Sequence, residues 1–280
     1  MVITTGTRDI FVQANGLRHH LVARGSPGAP VVMMIHGFTQ QAHVFDHIAQ
    51  KLAAKHHVYA LDVRGRGETE WGPADSYHMD NYVADIEAVR EALGLERMAL
   101  VGTSMGGFMS LLYAAAYPGR VSKLVLNDIG PAVEPAGLAR IARMAVSAPQ
   151  AFPDIKAVAR YYRDENAPVL GKRNDDEVME YARWHVRLSD AGIYEWKMDP
   201  AVRVPNATPP SRDPWEAFRA VSAPVLVIRG ATSDILSAAI AGQMREAVTG
   251  CSTVEVPGVG HAPSLMEPEA LKALTAFLDR

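Results

Sequence analysis

The chain has 280 residues, 48% of them apolar and 21% charged, with a formal net charge of −3. That composition indicates a soluble globular protein with a sizeable core, and it leaves no basic face for nucleic acid and no polybasic membrane segment. Cys251 is the only cysteine, which excludes an intramolecular disulfide; with no basic-then-apolar leader in MVITTGTRDIFVQANG, the expectation is a cytoplasmic protein.

In chain order, DIFVQA and LRHHLVAR flank Asn15-Gly16, a dipeptide suited to two positive-φ positions, so the spacing predicts an antiparallel hairpin. PVVMMIH, HVYALD, RMALVG, SKLVLND and PVLVIRG follow. They are β-branched runs with little alternation, the pattern of strands buried on both faces. Helical patterns at 42–55, 80–93, 105–117 and 237–248 lie between or after them. In the second, Asp80 is placed to cap, Val83, Ile86, Val89 and Leu93 form an apolar stripe, and Gly94 ends it. The alternation predicts an α/β fold: a mostly parallel central sheet with helices on both faces. Residues 98–119 are uncharged and approach the length of a membrane span. The glycines, Ser104 and Pro118 within them read instead as buried strand, turn and buried helix. From Pro131 to Pro214 the rhythm breaks for longer than an ordinary crossover allows. This predicts a helical cap at 131–214, inserted after the sixth strand, with 1–130 and 215–280 forming the core.

The stretch LVGTSMGGFMS sets a lone serine among glycines where the strand gives way to a helix. A residue forced into such a turn needs neighbours without side chains. The turn would lift the Ser104 hydroxyl out at the carboxyl end of the sheet and aim the Met105 amide at the same space, at the positive end of a helix dipole. A serine needs a base and a carboxylate to orient that base. His261, in PGVGHAPSL, lies on a glycine-flanked loop between the last strand and the last helix and can reach over the sheet end. Asp234, after PVLVIRG, and Asp128, after SKLVLN, compete for the third role. Asp234 is preferred because it sets acid and base on the last two strand ends, which leaves Asp128 as a structural or rim residue. A second oxyanion donor is expected from the Phe38 amide in HGFT, with His36 ordering that loop by hydrogen bonding.

In these segments, with HGFTQ, DVRGRGET, GTSMGG, RGATSDIL and GVGHAPSL in order along nearly the whole chain, the sequence resembles the α/β-hydrolase family. The likeness is to its cofactor-free, lidded esterases, lactonases and carbon–carbon bond hydrolases. The resemblance implies Ser104 as nucleophile, His261 as base, Asp234 as its orienter, and Phe38 and Met105 as the oxyanion hole. It also implies that 131–214 is the cap and that Asp62, Arg64, Gly65 and Gly67 form a supporting loop. Epoxide hydrolases and haloalkane dehalogenases of the family carry aspartate at the elbow, where this chain has Ser104.

The expected activity is hydrolysis of small to medium apolar carboxylic esters through an acyl-enzyme, with no cofactor and a small-molecule substrate. Two alternatives stand beside it: cleavage of a lactone, an enol lactone or a β-diketone carbon–carbon bond by the same triad, and a non-catalytic ligand receptor on the same fold. Trp184, Met144, Tyr161 and Trp196 are candidates for the pocket lining. The helix-spaced pairs Arg140 with Arg143 and Arg183 with Arg187 could clamp a substrate carboxylate or lie on solvated faces. His43 and His47 lie four apart but lack a third ligand, so no metal is expected. GRGET lacks the ending of a phosphate loop.

Overall fold

The computed structural model describes residues 6–165, 174–204 and 208–280. Residues 1–5, part of the segment read above for a leader, and stretches of the cap range at 166–173 and 205–207 lie outside the described residues. Strands β1 (Arg8–Ala14) and β2 (Leu17–Arg24) form the antiparallel hairpin, with Asn15 at φ 47° and Gly16 at φ 78°. The next four strands are β3 (Val31–Ile35), β4 (His57–Leu61), β5 (Met98–Thr103) and β6 (Val121–Asn127).

The last two of the central sheet are β10 (Val225–Gly230) and β11 (Cys251–Val256), which gives eight strands in the order β1-β2-β4-β3-β5-β6-β10-β11. Within this sheet only the β1–β2 and β2–β4 pairings are antiparallel. The central strands need both faces covered, which is why they read as unbroken apolar runs.

Helices α1 (Asp46–Leu52) and α9 (Pro268–Leu278) pack Ile48, Leu52, Leu274 and Phe277 into one apolar cluster. Helices α2 (Met79–Ala92), α3 (Met105–Ala116), α7 (Pro214–Arg219) and α8 (Ala238–Ala247) contribute Ile86, Leu111, Phe218 and Met244 to another. Each such side chain, fully buried, contributes roughly 1.5–3 kcal/mol by removal of apolar surface from water. Asp80 does not cap α2; His78 holds that position, and the Asp80 carboxylate instead accepts from the backbone N–H and hydroxyl of Ser211. No helix among the described residues is long and apolar enough to cross a membrane.

The segment after β6 carries α4 (Pro135–Ser147), α5 (Ile155–Glu165) and α6 (Asp175–His185), the last opened by a capping box between Asn174 and Glu177. It is not wholly helical: β7 (Ala151–Phe152), β8 (Val186–Leu188) and β9 (Tyr194–Trp196) form an antiparallel sheet of order β7-β9-β8. Phe152, Val158, Tyr162, Tyr181 and Trp196 make a core of its own. Two- and three-residue strands are too short to show a period of two in sequence, so only the helical periodicity was visible. The segment is tied to the connection between β4 and α2 by Tyr77 donating to Asp199 at 2.6 Å and by the Asp199 N–H donating to the Gly65 carbonyl at 2.9 Å.

Candidate active site

Ser104 sits between β5 and α3 at φ 52° and ψ −121°, a conformation L residues rarely adopt. Close packing holds it there. A Cβ at Gly102 would collide with the backbone of Gly106 and Gly107, and one at Gly106 with the carbonyls of Ile35 and His36. The chain can therefore turn sharply only with glycine at these places. The Ser104 N–H donates to Asn127 O at 3.0 Å, which locks the turn to the end of β6.

Ser104 Oγ lies 2.8 Å from His261 Nε2, and His261 Nδ1 lies 2.7 Å from Asp128 Oδ2. A carboxylate only accepts, so the imidazole proton sits on Nδ1 and Nε2 is left to accept the serine hydroxyl. The Asp128 carboxylate is fully buried and also receives the Gly230 N–H at 2.8 Å and the Ser233 hydroxyl at 2.5 Å. Three donors on one buried carboxylate give it a fixed orientation. The His261 loop is itself pinned, because Asn127 Nδ2 donates to Pro263 O at 2.8 Å.

This corrects the expectation for Asp234. Its carboxylate accepts both prongs of the Arg140 guanidinium, Nε at 2.6 Å and Nη2 at 2.7 Å, and is 40% exposed. The neighbouring Arg140 lowers its pKa. Both acids follow strand ends, but Asp128 turns inward at once, at φ 56°, whereas Asp234 lies four residues past Gly230 beneath α4. A Cβ at Gly137 would collide with the Asp234 carbonyl, so α4 rests on that backbone.

Phe38 lines the same cavity as Ser104, and Met105 is the first residue of α3, where backbone N–H groups have no intrahelical acceptor. Arg66, fully buried, reaches both: Nε donates to Phe38 O at 2.8 Å and Nη2 contacts Met105 Sδ at 3.4 Å. His36 Nδ1 donates to Gly37 O at 2.8 Å while Nε2 accepts the Val63 N–H at 3.0 Å. Both bonds suit a neutral imidazole, and burial lowers the His36 pKa to about 4. Asp62 braces the next loop, accepting from Ala42 N at 2.6 Å, Glu68 N at 2.9 Å and His20 at 2.7 Å. Arg64 forks onto Asp85.

A cavity of about 100 Å³ opens on Ser104 and His261, walled by Phe38, Met144, Tyr162 and Tyr181. Beside it, a smaller one of about 20 Å³ is lined by Tyr161, Trp196, Met198 and Arg203, with Thr39, Met144 and Tyr162 belonging to both. Three of the four expected lining residues thus meet here, Met144 in both cavities, Tyr161 and Trp196 in the inner one. Trp184 does not: it stacks on His43, ring centroids 3.5 Å apart, and faces an outer surface with Arg183 and Lys197. Of the arginine pairs, Arg140 is taken by Asp234, Arg143 is exposed, and Arg187 lies over Trp71. Tyr162, Tyr181 and Arg203 went unnoticed in sequence because in a segment with its own core nothing distinguishes a cavity-lining side chain from a packing one.

Residues 30–268 match the family model for the alpha/beta hydrolase fold. The chain is 32% identical over 265 residues to the 3-hydroxybutyrate-oligomer hydrolase of Cupriavidus necator, covering 90% of each protein. It is 30% identical to the 2-(acetamidomethylene)succinate hydrolase of Mesorhizobium japonicum, covering 92% of this chain and 91% of the relative. The crystal structure of an alpha/beta hydrolase from Novosphingobium aromaticivorans superposes with a TM-score of 0.87 at 33% identity over 98% of each chain. With that match spanning the sheet, the serine turn and the histidine loop, the chain belongs to the α/β-hydrolase family and is a hydrolase.

Proposed function

We propose that the protein is a serine hydrolase of small to medium carboxylic esters, with Ser104 as nucleophile, His261 as general base and Asp128 as the group that orients it. The observation that carries this reading is the unbroken hydrogen-bonded line from Ser104 Oγ through His261 to Asp128, with steps of 2.8 Å and 2.7 Å, at the floor of a cavity. As Ser104 Oγ attacks the carbonyl carbon, its proton passes to His261 Nε2, and the imidazolium is stabilised by Asp128. Negative charge grows on the carbonyl oxygen, where the Phe38 and Met105 N–H groups are assigned as donors. Loss of one such donor costs about 3 kcal/mol of barrier stabilisation. His261 then protonates the leaving alcohol; water, giving its proton to His261, attacks the acyl carbon, and as the bond to Ser104 Oγ breaks His261 returns that proton to the serine and the acid is released. Residues 131–214 are read as the cap that walls this cavity.

The ester preference is supported by the relative named for 3-hydroxybutyrate oligomers, since oligomers of a hydroxy acid are joined by esters. The relative named for 2-(acetamidomethylene)succinate favours a second reading, attack on a nitrogen-linked acyl group by the same residues. A panel of aryl esters, lactones, β-diketones and N-acyl compounds separates them. Turnover of esters, with fluorophosphonate labelling that disappears in Ser104→Ala, is the expected result. Turnover confined to another member of the panel reassigns the bond.

A further inference from the structure

We propose that Arg203 forms a carboxylate subsite: the substrate carries a carboxylate that docks on this guanidinium while its scissile carbonyl lies at Ser104. The inference rests on the reading of Ser104 as the nucleophile of an ester hydrolase.

Arg203 ends a short 3-10 turn, Pro200–Arg203, and is 8% exposed. The other buried arginines among the described residues are neutralised or fully engaged. Arg64 meets Asp85, Arg90 meets Glu87 and Arg229 meets Glu255, while Arg66 spends its donors on Phe38 O, Arg64 O, Tyr82 and Met105. Among the described residues, Arg203 alone combines the lack of an acidic partner with an orphaned donor. Its Nη1 approaches Ala148 O at 3.3 Å and Pro149 O at 3.4 Å, its plane lies 5.1 Å from the Trp196 ring centre, and its buried Nε has no hydrogen-bond partner. Buried cations are ordinarily paired, and desolvation of this one lowers its pKa. A ligand anion supplies what the fold leaves out.

The position fits such a ligand. Arg203 lines the inner cavity, and Thr39, Met144 and Tyr162 line both that cavity and the one over Ser104. A cavity of about 20 Å³ matches a small polar head, since one water needs roughly 10–15 Å³ on that scale. A forked carboxylate uses two donors of one guanidinium edge, and Nε is the donor that the protein leaves without a partner. The apolar wall of Met144 and the aromatic rings then carries a short aliphatic spacer between carboxylate and scissile carbonyl. The arginines that looked suited to this role in sequence are on Asp234 or outside the cavity.

The test compares p-nitrophenyl monoesters of succinate and glutarate with the neutral isosteres p-nitrophenyl 4-methylpentanoate and 5-methylhexanoate. Wild type is expected to favour the acid-bearing ester in kcat/KM by roughly 10- to 100-fold, the range for hydrogen bonds to a charged partner. Arg203→Met is expected to erase that preference, mainly through KM, and to leave the neutral esters within about twofold. Arg203→Lys should keep part of it. Met198→Glu, which places a resident carboxylate in the inner cavity, should erase it with Arg203 intact, so the test survives if Arg203→Met does not fold. A role limited to holding the end of α4 lowers both ester classes alike, and that result, or no preference in wild type, overturns the subsite. If no ester is cleaved, the ester reading fails by itself. The subsite is then decided by whether free glutarate slows fluorophosphonate labelling of Ser104 in wild type and ceases to in Arg203→Met; no protection in wild type overturns it.

Discussion

The turns after β6 and β10 present the same chemistry in two different settings. Each follows a parallel strand at the carboxyl edge of the sheet, each carries an aspartate, and each lies near the loop that bears His261. Asp128 is fully buried with a backbone amide, a serine hydroxyl and the imidazole converging on it. Asp234 is 40% exposed and locked to Arg140 of α4. A strand end delivers an acid to the carboxyl edge of the sheet, but the first residues of the turn decide whether its carboxylate points under the histidine or out toward α4.

The sharpest way to break this contrast is to neutralise each acid in turn. Asp128→Asn should lower kcat by roughly 10,000-fold, because a triad with the wrong partner on Nδ1 stabilises the wrong tautomer. Asp234→Asn should change it by no more than about fivefold, the value of an exposed ion pair. Steady-state kinetics on the ester that wild type cleaves best reads both, and a larger loss in Asp234→Asn would invert the assignment.

Gly230→Ala comes next. The added Cβ would collide with the carbonyls of Val259 and Gly260 and lever the His261 loop away from β10. Overpacking of this kind costs about 1–3 kcal/mol, to be read by thermal unfolding, and turnover should fall with it. Ser233→Ala removes a donor from Asp128 and the acceptor of the Ile235 and Leu236 N–H groups. About 1 kcal/mol of stability and roughly tenfold in kcat are the expected losses.

The smallest effect belongs to the other turn. Asp234 has its pKa lowered by Arg140, so the pair adds stability above the unfolded-state pKa of about 3.9 and loses it as pH falls through the lower folded value. Arg140→Met should therefore unfold more easily than wild type at pH 7, by at most about 1 kcal/mol, and the gap should close in melts below about pH 4.

Much of the fold was legible because strands buried on both faces and amphipathic helices leave different periods in sequence, and the Asn15-Gly16 turn leaves a local one. The turn that brings Ser104 beside His261 was legible for a related reason: the glycines around Ser104 relieve collisions that only a strand-to-helix turn creates. Which acid lies beside His261 was not legible, because both acids follow Ser104 and precede His261 in the chain, so order does not separate them. What separates them is tertiary: the left-handed backbone at Asp128 and the descent of Arg140 onto Asp234. Arg203 was invisible for a similar reason, since its lack of an acidic partner among the described residues depends on how the segment after β6 folds around it.

The pairing of His261 with Asp128 is tested most directly by the low-field imidazole N–H resonance in proton NMR, which needs no substrate. It should be present in wild type, retained in Asp234→Asn and lost or strongly shifted in Asp128→Asn. Retention in Asp128→Asn with loss in Asp234→Asn would contradict the relay that the catalytic reading is built on.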